Sequence, residues 1–320
     1  MKRLFTTIII LSIMTAAYAE RFEPIKYGNM DNWVVRHIKE SGVIGGKNKN
    51  VYAVGPRRVI EGSDAYVPQG GTPWASSNVM AKVAGVTKTS NAVYPEPRPG
   101  KGQCAKLTSR LESIKALGLV NIDVMVAGTL FLGRMFEPIS STSNPYSKME
   151  MGVPFTGHPD ALVYDYELSI PDTDSRIQST GFSKKRTLPG HDNAEVIILL
   201  QRRWEDADGN LYARRVGTGH EILSHSTSGW QDGHHLAVRY GDISGQPGFT
   251  AREGLISKDK SYYARNSKGK MVPVTEVGWD SPDATPTHMI VMFSAGSGEP
   301  YVGTPGLTLK VDNVGLAYNN

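Results

Sequence analysis

The chain contains one cysteine, Cys104, in 320 residues. A lone cysteine excludes an internal disulfide framework and any zinc module built on cysteine pairs. Strong charge of either sign is also missing, since 35 Lys and Arg stand against 31 Asp and Glu. A chain this close to neutrality lacks the clustered basic footprint that nucleic acid requires. Beyond the first 19 residues no apolar run is long enough for a membrane-spanning helix. No phosphate loop, dinucleotide fingerprint or Gly-x-Ser-x-Gly nucleophile elbow occurs. No repeat of roughly 20–50 residues recurs, which excludes propellers and solenoids.

What remains is the composition of a globular protein with a substantial core: 39% hydrophobic and 21% charged residues, with 34 Gly and 19 Pro. The length allows one large all-β domain or two ordinary ones. Lys2 and Arg3 precede an uncharged, mostly apolar run over residues 4–18 that ends in Ala17-Tyr18-Ala19. This is the layout of a secretory signal peptide, and an uncleaved anchor is the less favoured reading. Cleavage after Ala19 leaves a balance of +2 and implies a periplasmic or secreted protein. In that oxidising setting Cys104 is expected as a free thiol, plainly read as a small buried residue. The densest basic stretch, 36–58, holds Arg36, Lys39, Lys47, Lys49, Arg57 and Arg58 and reads as a solvated face.

Residues 20–75 form an N-terminal extension. Asp31 can cap a short helix over 32–40, with Val34 and Ile38 on one face. Gly42, Gly45 and Gly46 end it, and 50–54 reads as a strand. Residues 62–73 read as a linker. From Asn78 onward the pattern is of strands: 79–86, 105–111, 120–132, 161–169, 195–204, 211–216, 234–240, 287–294 and 307–318. In 161–169 the residues Leu162, Tyr164, Tyr166 and Leu168 point one way, and Val163, Asp165 and Glu167 the other. The runs 196–200 and 289–293 are apolar on both faces, as in central strands of stacked sheets. Residues 206–210, Asp-Ala-Asp-Gly-Asn, form a hairpin turn. Only 108–117 is otherwise ambiguous between helix and strand. The expected fold is an all-β, two-sheet β-sandwich over 76–320, with a short α/β extension before it.

Four segments carry a family resemblance: Trp74-Ala-Ser-Ser-Asn78, Ala127-Gly-Thr-Leu-Phe-Leu-Gly133, residues 152–162 with the Tyr164-Asp-Tyr166 strand, and Leu309-Lys-Val-Asp-Asn-Val314. On these, the stretch from Trp74 to Tyr318 resembles the putative carbohydrate metabolism domain of secreted Bacteroidetes proteins. The resemblance implies a jelly-roll sandwich like that of carbohydrate-binding modules, with glycan or polysaccharide as partner. It supplies no catalytic residues.

Sugars present C–H faces and hydroxyls, so their sites combine exposed rings with carboxylates and amides. Trp230, flanked by Gln231 and Asp232, sits among small polar residues in a loop and is the leading platform. Trp74 and Trp279 lie in similar loops, where folding back over a sandwich end is the plainer reading. Tyr262 and Tyr263 are a further candidate, and strand geometry frees only one of them. Glycoside hydrolysis needs two carboxyl groups, ~5–5.5 Å apart for retention or ~6.5–9.5 Å for inversion. Asp165 and Glu167 stand at alternate strand positions, roughly 6.5–7 Å apart. Solvated outer-face acids are the plainer reading. Asp165, Glu167 and Asp232 are the first catalytic suspects should the chain be a hydrolase.

His220, His225, His234 and His235 lack metal-ligand spacing. A structural calcium fits an extracellular sandwich, but no ligand set follows from the sequence. The leading expectation is thus an exported protein that binds a glycan without cleaving it. The alternatives are a glycoside hydrolase with carboxylates assembled by the fold, and a cell-envelope protein that docks a partner chain through residues 20–75.

Overall fold

A computed structural model describes residues 20–66, 71–83, 85–116, 120–140, 144–181 and 184–319. The expected export segment, residues 1–19, and part of the expected 62–73 linker lie outside the described residues. Among the described residues no helix is long and apolar enough to cross a membrane, which says nothing of spanning by strands.

Two sheets face each other. The first runs Val120–Ala127, Gln103–Ala116, Thr308–Tyr318, Ala161–Ser169, Gln231–Ala237, all antiparallel. Val93–Pro97 extends it beside Gln103–Ala116, and Arg21–Pro24 pairs with the end of Thr308–Tyr318. The second runs Val153–Pro154, His288–Ser294, Ala194–Glu205, Leu211–Leu223, Met271–Trp279, Tyr263–Arg265, Met149–Met151, Thr129–Met135, Trp74–Ser76. A further pairing joins Thr129–Met135 to His288–Ser294, from Thr129↔Ser294 to Phe131↔Met292. That pairing closes the second sheet on itself as a ring of strands. The sandwich matches the sequence expectation, whereas the ring has no sequence signature.

The ring explains the two runs that are apolar on both faces. Val196, Ile198 and Leu200 are fully buried and meet Leu162, Leu168, Leu309 and Val311 of the first sheet. Ile197 and Leu199 point the other way, into the ring, with Phe131, Met151, Ile290 and Met292. Each large side chain so buried contributes about 1.5–3 kcal/mol relative to exposure. Tyr164 reaches across the sandwich and meets the Phe293 ring edge-on at 5.1 Å. Its position confirms the alternation read in 161–169. Cys104 is free and fully buried, and burial pushes its thiol up to about 12.

The expected helix over 32–40 is instead the strand Trp33–Lys39, paired with Asn48–Val54 and Arg58–Glu61. A spacing of four between Val34 and Ile38 satisfies one helical turn and two strand repeats alike. Arg36 decides between them, because it is 2% exposed and buried on the same face as Val34 and Ile38. Its guanidinium donates to both Glu137 oxygens, at 2.8 and 2.7 Å. The solvated reading of the 36–58 basic stretch therefore fails at Arg36. The extension is also no free arm. Met30, Trp33 and Val54 enter the main core, while Phe22, Val43 and Val59 stay exposed. The ambiguous 108–117 segment continues as strand to Ala116.

Candidate functional site

The loop at 226–233 is fixed before it presents anything. Leu168 donates its N–H to Thr227 Oγ1 at 3.0 Å, and Thr227 returns its own N–H to the Leu168 carbonyl at 2.9 Å. At the other end, Gly233 N–H donates to Asp165 Oδ1 at 2.7 Å. Trp230, half-buried between these anchors, lies on Arg98, whose guanidinium carbon is 3.8 Å from a Trp230 ring centroid. Arg98 leaves the strand Val93–Pro97 and is itself buried. One of its nitrogens donates to Asp165 Oδ2 and Asp312 Oδ2, each at 2.7 Å, and the other to Asp232. Lys101 closes the cluster at 2.5 Å from Asp232 Oδ2.

Burial alone would raise the Asp165 carboxyl, but hydrogen bonds from Arg98, Gly233 and Asn313 hold it below the usual carboxylate range. Asp312 is more enclosed, and there burial outweighs Arg98 and lifts the carboxyl. The cluster is a rigid, charge-compensated support under one indole. Two of its acids are spent on holding the arginine.

A cleft of about 350 Å³ opens elsewhere, between the first sheet's Val120–Ala127 edge, the ring and the 296–302 loop. That volume lies within the usual range for ligand pockets. Its walls are mostly apolar, with Met125, Met135, Met149 and Met292 among them. Tyr146 and Tyr262 line it, edge to face, with centroids 6.1 Å apart. Among the described residues neither hydroxyl has a hydrogen-bond partner. Burial raises both phenols above their ordinary value, so both stay protonated and able to donate. Glu195 stands on the same wall, 2.8 Å from His220 Nε2 and 3.7 Å from Arg252. Glu112 also lines the cleft and pairs with Arg110 at 3.1 Å. Rings, free donors and carboxylates thus converge on one concavity.

Residues 57–230 match the family model described as "Putative carbohydrate metabolism domain". The chain belongs to this family. No curated protein matches the chain. Among solved structures, one similar chain is described as a putative glycoside hydrolase from Bacteroides thetaiotaomicron VPI-5482. It shares 17% identity over 89% of this chain and 71% of that one, with a TM-score of 0.47. Another, described in the same words, is from Bacteroides vulgatus ATCC 8482. It shares 16% identity over 92% of this chain and 94% of that one, with a TM-score of 0.42.

The span matched by the carbohydrate metabolism family holds Arg98, Asp165 and Glu167 and ends at Trp230. Asp165 and Glu167 share the outer face as expected, yet they do not form a free pair. Asp165 is 5% exposed and locked on Arg98, so the solvated reading is wrong for it. Glu167 faces Lys310 at 3.6 Å, and Lys310 in turn holds Glu96 at 2.8 Å. Asp232 is exposed but carries two cations. Gln231 is exposed, and its amide donates to the Gly229 carbonyl at 3.3 Å.

Trp74 is 1% exposed, with its indole N–H on the Lys26 carbonyl at 2.9 Å, so it seals a core end and offers nothing to a ligand. Trp279 is half-buried, 5.7 Å from Arg215. Of the tyrosine pair, Tyr262 faces the cleft, while the Tyr263 hydroxyl accepts from Asn144 at 2.8 Å. Tyr146, Glu195, Glu112 and the methionines went unread because they come from separate segments with no shared spacing.

Among the described residues no group of three or more His, Cys, Asp or Glu is placed to hold a metal ion. His220, His234 and His235 each face a glutamate instead: Glu195, Glu221 and Glu20. Asp206 accepts from the N–H groups of Asp208 and Asn210 and from the Asn210 amide, so 206–210 is a self-satisfied turn.

Proposed function

We propose that the protein is an exported glycan-binding member of the carbohydrate metabolism family, and that it holds a saccharide in the Tyr146/Tyr262 cleft without cleaving it. One observation carries this reading: the Tyr146 and Tyr262 rings, whose hydroxyls have no hydrogen-bond partner among the described residues, share a concavity with Glu195. A sugar offers C–H faces to the rings and hydroxyls to the phenols and the carboxylate. Export rests on the 1–19 segment, with its basic start, apolar run and Ala-x-Ala end.

Binding is favoured over hydrolysis on electrostatic grounds. A glycosidase needs one carboxyl kept protonated as an acid. The acids of the predicted pair face cations, and Glu195 lies between His220 and Arg252. Arg98, the Gly233 N–H and Asn313 hold the Asp165 carboxyl below the usual range, which removes it as the acid.

A glycan array followed by titration calorimetry on the purified protein tests the reading. Tyr262→Phe keeps the ring and removes the hydroxyl, and should weaken binding about five- to tenfold. Trp230→Ala should leave affinity unchanged. Loss in Trp230→Ala with full affinity in Tyr262→Phe moves the site to the loop. Reducing-sugar release that disappears in Glu195→Gln replaces binding with hydrolysis.

A further inference from the structure

Strand Ala194–Glu205 outruns the sheet it covers. As far as Leu200 its core-side residues pack on the first sheet. Past that point the same side carries Arg202 and Trp204, and both are exposed. Trp204 is 42% exposed, the one tryptophan among the exposed large hydrophobic residues. Directly across the ladder stands Tyr212, its ring near-parallel at 24° with a centroid 5.8 Å away. Thr275 pairs with Tyr212 on the next strand, and the exposed Val277 lies two residues on. Two rings and an aliphatic side chain thus cross three neighbouring strands.

The surroundings of this strip are polar and held in place. Arg202 grips Asp280 with two hydrogen bonds, at 2.6 and 3.1 Å, and Arg214 donates to the Trp279 carbonyl at 3.0 Å. The Asp206 turn beyond is closed by its own amides. A second sheet or an apolar partner would have to desolvate these charges. A saccharide would not, because its hydroxyls can bond to arginine and aspartate at the rim while its C–H face covers the rings.

The geometry points to a second saccharide-binding surface at Trp204 and Tyr212, one that takes an internal stretch of a neutral polysaccharide chain. This goes beyond the cleft reading. Glu195 and Trp204 are nine residues apart on one strand, about 30 Å. A short oligosaccharide in the cleft cannot touch Trp204, so the two surfaces bind independently.

Affinity gels loaded with mixed-linkage β-glucan, xyloglucan, galactomannan or arabinoxylan test this, beside calorimetry with the matching oligosaccharides. On the gel that retards the wild type most, Trp204→Ala should weaken retention about tenfold, and Trp204→Phe should keep most of it. Trp204→Ala should leave oligosaccharide affinity in the cleft unchanged. Unchanged retention of Trp204→Ala overturns the second surface and leaves the cleft intact. An equal loss on polymer and oligosaccharide also overturns it, because Trp204 would then belong to the first site or to the fold. Normal binding by Tyr262→Phe beside lost retention in Trp204→Ala sinks the cleft and sustains this surface. A wild type retarded by none of the four polymers removes this proposal.

Discussion

The Arg98 guanidinium carbon stands 3.8 Å from a Trp230 ring centroid, while its nitrogens face Asp165, Asp312 and Asp232. A cation fixed by three acids is a stiff floor for an indole. Arg98→Ala removes the floor, leaves the buried Asp312 without its cation and leaves Asp165 only Lys101 at 3.9 Å. The expected loss is about 3–5 kcal/mol, because breaking a buried pair from one side strands its charge. Urea unfolding measures it. Arg98→Lys should recover only part, since an ammonium cannot serve three acids and a ring in one plane. Full stability in Arg98→Ala would show that the acids are simply protonated there.

Inside the ring, Arg215 donates to both oxygens of Glu276, at 2.7 and 2.5 Å, and both side chains are essentially inaccessible. Burial pushes the Glu276 carboxyl up, but Arg215, the Ile256 N–H and Gln201 more than offset it. Glu276→Leu alone should cost about 3–5 kcal/mol, and so should Arg215→Met alone. The double variant should be more stable than either single one. A double-mutant cycle by denaturant melts checks this, and additive losses would contradict it.

His288 follows a strict pH rule. Burial, with the Arg203 charge behind it, depresses its imidazolium to about 4 from 6.5. Between those values the unfolded chain binds a proton that the folded chain refuses. The contribution to stability is therefore full above about pH 6.5 and lost as pH falls towards 4. Its size is about 3 kcal/mol. Melting series from pH 4 to 7 should show a shallower slope in His288→Gln than in the wild type. Identical slopes would reject the assignment.

Gly133 closes the second of the family segments. Its φ of +145° is a glycine conformation, and a Cβ there would sit 2.0 Å from the Glu150 carbonyl oxygen. That oxygen belongs to the strand paired with it, Gly133↔Met151. Gly133→Ala must strain the backbone and push the two strands apart. We expect a loss of about 3 kcal/mol or more, visible as a lower melting temperature. A melting temperature within a degree of the wild type would show that the ring opens without cost.

The sandwich was legible because alternation is a local property. A strand in contact with one core repeats every two residues, and 161–169 shows that repeat without help. The ring was not legible, since its closure depends on Thr129–Met135 meeting His288–Ser294 across more than 150 residues. The helix expected over 32–40 failed where sequence treats arginine as a surface residue. Its partner, Glu137, lies a hundred positions away.

The site divides in the same way. Trp230, Asp232 and Asp165 were named from residue type and setting, and the fold does join them. Arg98, which joins them, had no signal between Pro97 and Pro99. Tyr262 was named without its cleft, and Tyr146 and Glu195 were not named at all. Residue order by itself determined that the chain folds as layered strands, belongs near carbohydrate, and carries an export-like start. Tertiary structure decided which rings are buried, which acids are neutralised and where a cavity opens. Those properties come from side chains brought within a few ångströms by packing, and distance along the chain does not record them.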